Sequence, residues 1–135
     1  MSKTKAIVLG TPYFINRISS VADSFILFHG TKIPFEHSVR NLSVILDFKM
    51  NWEELVLQIC KKANSIMYRL NFFRRSTTLS LRKHLIQSLL FLVIDYCSLV
   101  YCDISGEQYL LLQRIINTGI RYIYGIRRDE HITPY

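Results

Sequence analysis

Trp52, Leu55, Val56, Ile59, Ala63, Ile66, Met67, Leu70 and Phe73 recur at steps of three and four. That spacing predicts an amphipathic helix of about six turns with one apolar face, and Lys61, Lys62 and Arg69 fall off the stripe. Asn51, with Glu54 three residues later, has the form of a capping box, and Glu53 and Glu54 suit the positive end of the helix dipole. Ser76-Thr77-Thr78 breaks this helix and offers an N-cap for a second one. The second helix carries Leu79, Leu85, Ile86, Leu89, Leu90, Val93 and Ile94, apolar on more than one side, so it is expected at the centre of the fold. Ser105 with Gln108 is another capping box, and Leu111, Leu112, Ile115, Ile116, Ile120 and Ile123 predict a third helix stopped by Gly125. Aromatic and Met residues on these stripes are expected in the core.

Before Asn51 the period shortens. Ala6-Ile7-Val8-Leu9 is a short apolar run closed by Gly10-Thr11-Pro12, and Ser24 to His29 followed by Lys32 to Phe35 predicts a hairpin bent at Gly30. Val39 to Asp47 alternates imperfectly and then runs apolar, which predicts a third strand with one buried face. The fold class expected is α+β, with short antiparallel strands over 1–50 and a three-helix bundle over 51–135. So small a sheet needs something to cover its apolar face. No internal repeat, low-complexity tract or Pro/Gly/Ser-rich linker interrupts the chain.

Composition narrows the functions. The 135 residues are half hydrophobic, with 8 Tyr, 8 Phe and 1 Trp, and only 20% charged; neither a large multidomain catalyst nor a disordered chain fits. The net charge is +7. It is concentrated: Lys61 to Arg128 holds eleven basic residues against Asp95, Asp103 and Glu107, while the remainder holds six basic and seven acidic. Such asymmetry points to a polyanionic partner, against the plainer reading of solvated helix faces. The basic residues fall at Lys61-Lys62, Arg69, Arg74-Arg75, Arg82-Lys83 and Arg127-Arg128, with Tyr68, Phe72, Phe73, Tyr122 and Tyr124 interleaved. Lys61, Lys62, Arg69 and then Arg74 or Arg75 are expected to form a row along the first helix that tracks phosphates without reading sequence.

Catalytic chemistry finds no constellation. Cys60, Cys97 and Cys102 have no paired spacing, and His29, His37, His84 and His131 are scattered, so no metal ligand set and no cofactor are expected. Asp23, Asp47, Asp95, Asp103 and Asp129 are never adjacent; Asp95, inside an apolar helix, is expected to be a structural hydrogen-bonding group. The stretch Leu85 to Cys102 nears spanning length but contains Asp95, so a buried helix and no membrane association are expected. The opening Met-Ser-Lys-Thr-Lys has no signal-peptide pattern, and with unpaired cysteines an intracellular setting, cytoplasmic or nuclear, is expected.

Lys3-Thr4-Lys5 before a short strand, the phrase Val39-Arg40-Asn41-Leu42-Ser43-Val44-Ile45-Leu46-Asp47, then Asn51-Trp52 and Ile59-Cys60-Lys61-Lys62-Ala63-Asn64 come in a telling order. Together with Ile94-Asp95-Tyr96-Cys97-Ser98, Leu110-Leu111-Leu112-Gln113-Arg114 and Gly119-Ile120-Arg121, this order resembles the C-terminal palm and thumb of a reverse transcriptase from a non-LTR, LINE-like retrotransposon. The resemblance implies that residues 1–50 correspond to the last palm strands and 51–135 to the thumb. It implies that Lys3 or Lys5 lies near the incoming nucleotide and that Leu42-Ser43-Val44 matches the primer grip. Two positions depart from the family pattern. Ser43 replaces a Gly, which would strain the grip if φ is positive there, and Leu92 replaces a Pro that would break the helix.

No Tyr/Phe-Ala-Asp-Asp motif occurs. The resemblance therefore implies a fragment of an RNA-directed DNA polymerase, inert by itself, that binds an RNA or DNA template-primer through Lys61, Lys62, Arg69, Arg74, Arg75, Arg82 and Lys83. The alternative is a non-enzymatic helical interaction module, with the rest of a polymerase palm or another protein as partner. A severed sheet edge also predicts self-association.

Overall fold

The chain is α+β, with short antiparallel strands in its first part and helices after them. The computed structural model describes residues 4–19, 25–96, 98–101, 103–127 and 129–132. Lys3, Asp23, Ser24, Cys97, Cys102 and Arg128 lie outside the described residues. Two compact units divide the chain, Met1–Leu55 and Val56–Tyr135.

In the first unit, the expected strand over Ala6–Leu9 shrinks to one parallel bridge between Ala6 and Phe35, where Glu36 N donates to Ala6 O at 2.8 Å. Gly10-Thr11-Pro12, expected to close that strand, instead opens helix α1 (Pro12–Ser19). Pro suits a first helical position because its missing N–H would have no partner there, and Ile15 N donates to Thr11 O at 3.1 Å to start the ladder.

Strands β1 (Phe25–Phe28) and β2 (Thr31–Pro34) form the expected hairpin, with Ile26 opposite Ile33. Its two-residue turn, His29-Gly30, has φ of 47° and 76°, the pair of positive values of a type I′ turn. The single strand expected over Val39–Asp47 is corrected to a second hairpin, β3 (Ser38–Asn41) and β4 (Val44–Asp47), closed by Leu42-Ser43 with φ of 45° and 69°. Asn41 and Ser43 interrupt the alternation, and both favour turns because their short polar side chains satisfy local backbone groups. Ile15, Ile33, Val44, Trp52 and Leu55 are the buried apolar residues described in this unit.

Helix α2 (Glu53–Phe72) begins one residue later than the stripe predicts, because Trp52 is left-handed with φ 61° and stands before the helix. Asn51 Oδ1 accepts from Glu53 N at 3.1 Å. Val56, Ile59, Ala63, Met67 and Leu70 make its buried face, whereas Phe73, expected on that face, is exposed beyond the helix end. A 3₁₀ turn, Arg74–Ser76, follows, and the Thr78 side chain accepts from Leu81 N at 3.4 Å to cap α3 (Leu79–Leu85).

From Ile86 to Phe91 the ladder widens to a π-helix before α4 (Leu92–Asp95). Ser88 Oγ donates to His84 O at 2.7 Å; this side-chain bond competes for a carbonyl of the ladder at the widened turn. The helical path continues through Leu92, as expected where Leu stands in place of a helix-breaking Pro. Ile86, Leu90 and Ile94 are buried, but Leu79, Leu81, Leu89 and Leu92 are exposed. The expectation of a helix buried on several sides is thus corrected to one buried line.

Helix α5 (Gly106–Tyr124) carries the capping box as expected: Gln108 N donates to Ser105 Oγ at 3.3 Å, and Ser105 N to Gln108 Oε1 at 2.9 Å. It stops at Gly125, left-handed at φ 77°. Gly119 lies where α5 meets the π segment, and a Cβ there would stand 2.8 Å from Leu90 Cδ2 and 3.5 Å from Ile86 Cγ2.

Candidate nucleic-acid interface

The solvent face of α2 follows from its buried one. With Val56, Ala63 and Leu70 turned inward, a period of 3.6 residues turns Leu57, Lys61, Tyr68 and Phe72 outward, and all four are exposed. Lys62 and Arg69, seven residues apart, flank that line, also exposed; two turns separate them by about 10 Å along the axis. None of Lys61, Lys62, Arg69 and Arg75 is paired with a described carboxylate. Tyr68 is 81% exposed and Phe72 82%, and Phe73 holds Phe72 edge to face with ring centroids 5.1 Å apart. Of the other interleaved aromatics, Tyr122 is buried and Tyr124 is exposed.

The row expected to run on into Arg74 and Arg75 stops, because α2 ends at Phe72. Arg74 is half-buried, with Nη2 3.0 Å from the position a Cβ on Gly125 would take. Arg75 stays exposed on the 3₁₀ turn. Arg82 spends its guanidinium inside the fold: Nε donates to Thr77 Oγ1 at 3.3 Å, Nη1 to Ile123 O at 3.4 Å and Nη2 to Arg74 O at 2.9 Å. It braces the 3₁₀ turn against the C-terminal end of α5, where a cation also complements the helix dipole. Lys83 is exposed, with Nζ over the Tyr124 ring, 5.6 Å from its centroid. Lys61, Lys62, Arg69 and Arg75 are therefore the members of the expected set whose charge is wholly available to a ligand.

The remaining expected positions sit in the first unit. Leu42 and Ser43 form the β3–β4 turn and are exposed, and Val44 beside them is buried. Ser43 does occupy positive φ, a conformation that suits Gly better than a residue with a Cβ. Lys5 Nζ is engaged by Glu36 Oε2 at 2.8 Å on the surface. A cavity of about 240 Å³ in this unit is lined by Val8, Ile15, Phe35 and Phe48, with Glu36 and His37 as its polar side; ligand pockets are usually larger, about 300–1,000 Å³.

Asp95 is exposed at the end of α4, and its carbonyl accepts from Ser98 N at 3.0 Å. Burial raises the Cys60 thiol above its ordinary range, against a backbone hydrogen bond that lowers it, which leaves little nucleophilic thiolate at neutral pH. Among the described residues no three His, Cys, Asp or Glu side chains gather as a metal site, and no helix is long and apolar enough to cross a membrane. No family model, curated protein or solved structure matches the chain.

Proposed function

We propose that the chain binds nucleic acid along the sugar–phosphate backbone, in the manner of a polymerase thumb holding a template-primer, with Lys61, Lys62 and Arg69 of α2 and the nearby Arg75 as the contacts. The observation that carries this reading is the exposure of these cations with no described carboxylate against them. A protein surface that only needs solubility usually mixes both signs; α2 has no acidic residue after Glu54. The resemblance to a LINE-like reverse transcriptase supplies the context: a thumb-like fragment, with no catalytic Asp-Asp motif in this sequence, whose primer extension is expected at background. The cell compartment expected is cytoplasmic or nuclear.

The test is salt dependence. The parent chain should bind a duplex at about 100 mM salt with Kd on the order of 10⁻⁴–10⁻⁶ M, and replacing Lys62, Arg69 and Arg75 together with Gln should flatten the slope of log K against log salt by about 2–3. All three side chains are exposed, so helix content should survive. Unchanged affinity and slope would remove α2 as the contact.

A second reading, a protein-interaction module, is favoured by a different surface. Leu92 is 67% and Leu99 90% exposed, with Leu89 and Val100 also exposed. Association through such residues would be insensitive to salt, because apolar burial is not a charge effect.

A further inference from the structure

The basic residues explain attraction to phosphates, but they do not explain why α2 presents two large rings between them. Tyr68 and Phe72 are four residues apart on one helix line, both more than four-fifths exposed, with Lys61 and Arg69 on the same exposed side. An isolated exposed apolar side chain needs no explanation, but two rings in register on a face of unpaired cations form an amphipathic strip with a chemistry of its own.

We infer that the exposed face of α2 takes a single strand of nucleic acid, with unstacked bases packing on Tyr68 and Phe72 while Lys61, Lys62 and Arg69 neutralise the phosphates. The inference rests on the reading above and names its substrate. In a duplex the base faces are hidden in the stack, so rings on the outside of a helix reach only backbone and groove edges. The two rings stand about 6 Å apart along the helix axis, wider than the stacking rise of about 3.4 Å per base. A strand that engages both must have its bases spread, which costs least when they are unpaired. Stacking between a base and a ring is tolerant of sequence because every base has a π-face. Phe73, edge-on to Phe72, limits the rotation of that ring and so lowers the entropy lost on stacking.

The experiment compares fluorescent oligo(dT) and oligo(U) of about 20 nucleotides, longer than the about 4–16 of common single-strand sites, with a duplex of equal length. Binding to the full chain is read by anisotropy at about 50 mM salt. Single strands should bind more tightly than the duplex. Tyr68→Ala and Phe72→Ala should each weaken single-strand binding by about 5- to 150-fold, leave the salt slope in place and leave duplex binding nearly unchanged, while Tyr68→Phe should retain single-strand binding. Circular dichroism should show the same helix content in every variant. Equal affinity for both nucleic acids, unmoved by the two Ala variants, would overturn the single-strand inference and leave the backbone reading standing. No binding to either would overturn both.

Discussion

The two units of the chain are held by different means. The first, Met1–Leu55, contains every described non-glycine residue with positive φ, namely His29, Leu42, Ser43, Met50 and Trp52, and buries five apolar side chains. The second, Val56–Tyr135, has no such residue among those described, ends its last helix on Gly125, and buries thirteen. Left-handed backbone costs a residue with a Cβ roughly 1–2 kcal/mol, so the first unit carries several such costs on a small core. The second caps α3 with Thr78 and α5 with Ser105, and has the larger core. Tight turns shape one unit, and packing shapes the other.

The largest change should come from the packed side. Gly119→Ala would drive a Cβ to 2.8 Å from Leu90 Cδ2, and because Leu90 and Ile86 are fully buried, Leu90 must repack against its neighbours to make room. Overpacking of about 1–3 kcal/mol outweighs the roughly 0.5–1 kcal/mol that Ala gains over Gly in a helix. The urea midpoint should fall, and adding Leu90→Ala to Gly119→Ala should cost less than it does in the parent, a coupling that a double-mutant cycle measures. Additive losses would mean that the close approach of α5 to the π segment is not what constrains position 119.

On the turn-shaped side the sign reverses. Ser43→Gly should stabilise by about 1 kcal/mol, since it removes left-handed strain at φ 69° but adds unfolded-state freedom. His29-Gly30 already has Gly at the second turn position, so Gly30→Ser should destabilise by a similar amount; thermal melts of the two variants test the symmetry. A Ser43→Gly variant no more stable than the parent would show that the β3–β4 turn is relaxed in solution.

The smallest effect is electrostatic. Lys5→Gln removes an exposed pair with Glu36 and should cost at most about 0.2–1 kcal/mol, less at high salt. A larger loss would mean that the Ala6–Phe35 bridge depends on this pair.

What the sequence determined by itself lies within a few residues of each signal. Ser105 and Gln108, Thr78, Gly30 and Gly125 act on backbone groups one to four positions away, so their roles as caps and turns were legible from spacing alone. The change from strand to helix near Asn51 was legible for the same reason, as was the exposure of Lys61, Lys62 and Arg69, which follows from the position of the Trp52-to-Leu70 stripe. Helix α1 had a local signal too, Pro12 after Thr11, but the apolar run before it reads as strand.

The tertiary structure decided the rest. Whether Val39–Asp47 is one strand or two depends on which segments pair, and that is a choice between competing partners. Arg82 looked like a free cation, yet its guanidinium reaches Ile123 O, 41 residues on, and no local pattern announces such a bond. The second helix reads as apolar on several sides, but only its Ile86, Leu90 and Ile94 line is buried, because burial is set by the surface that arrives against a helix and not by the helix itself.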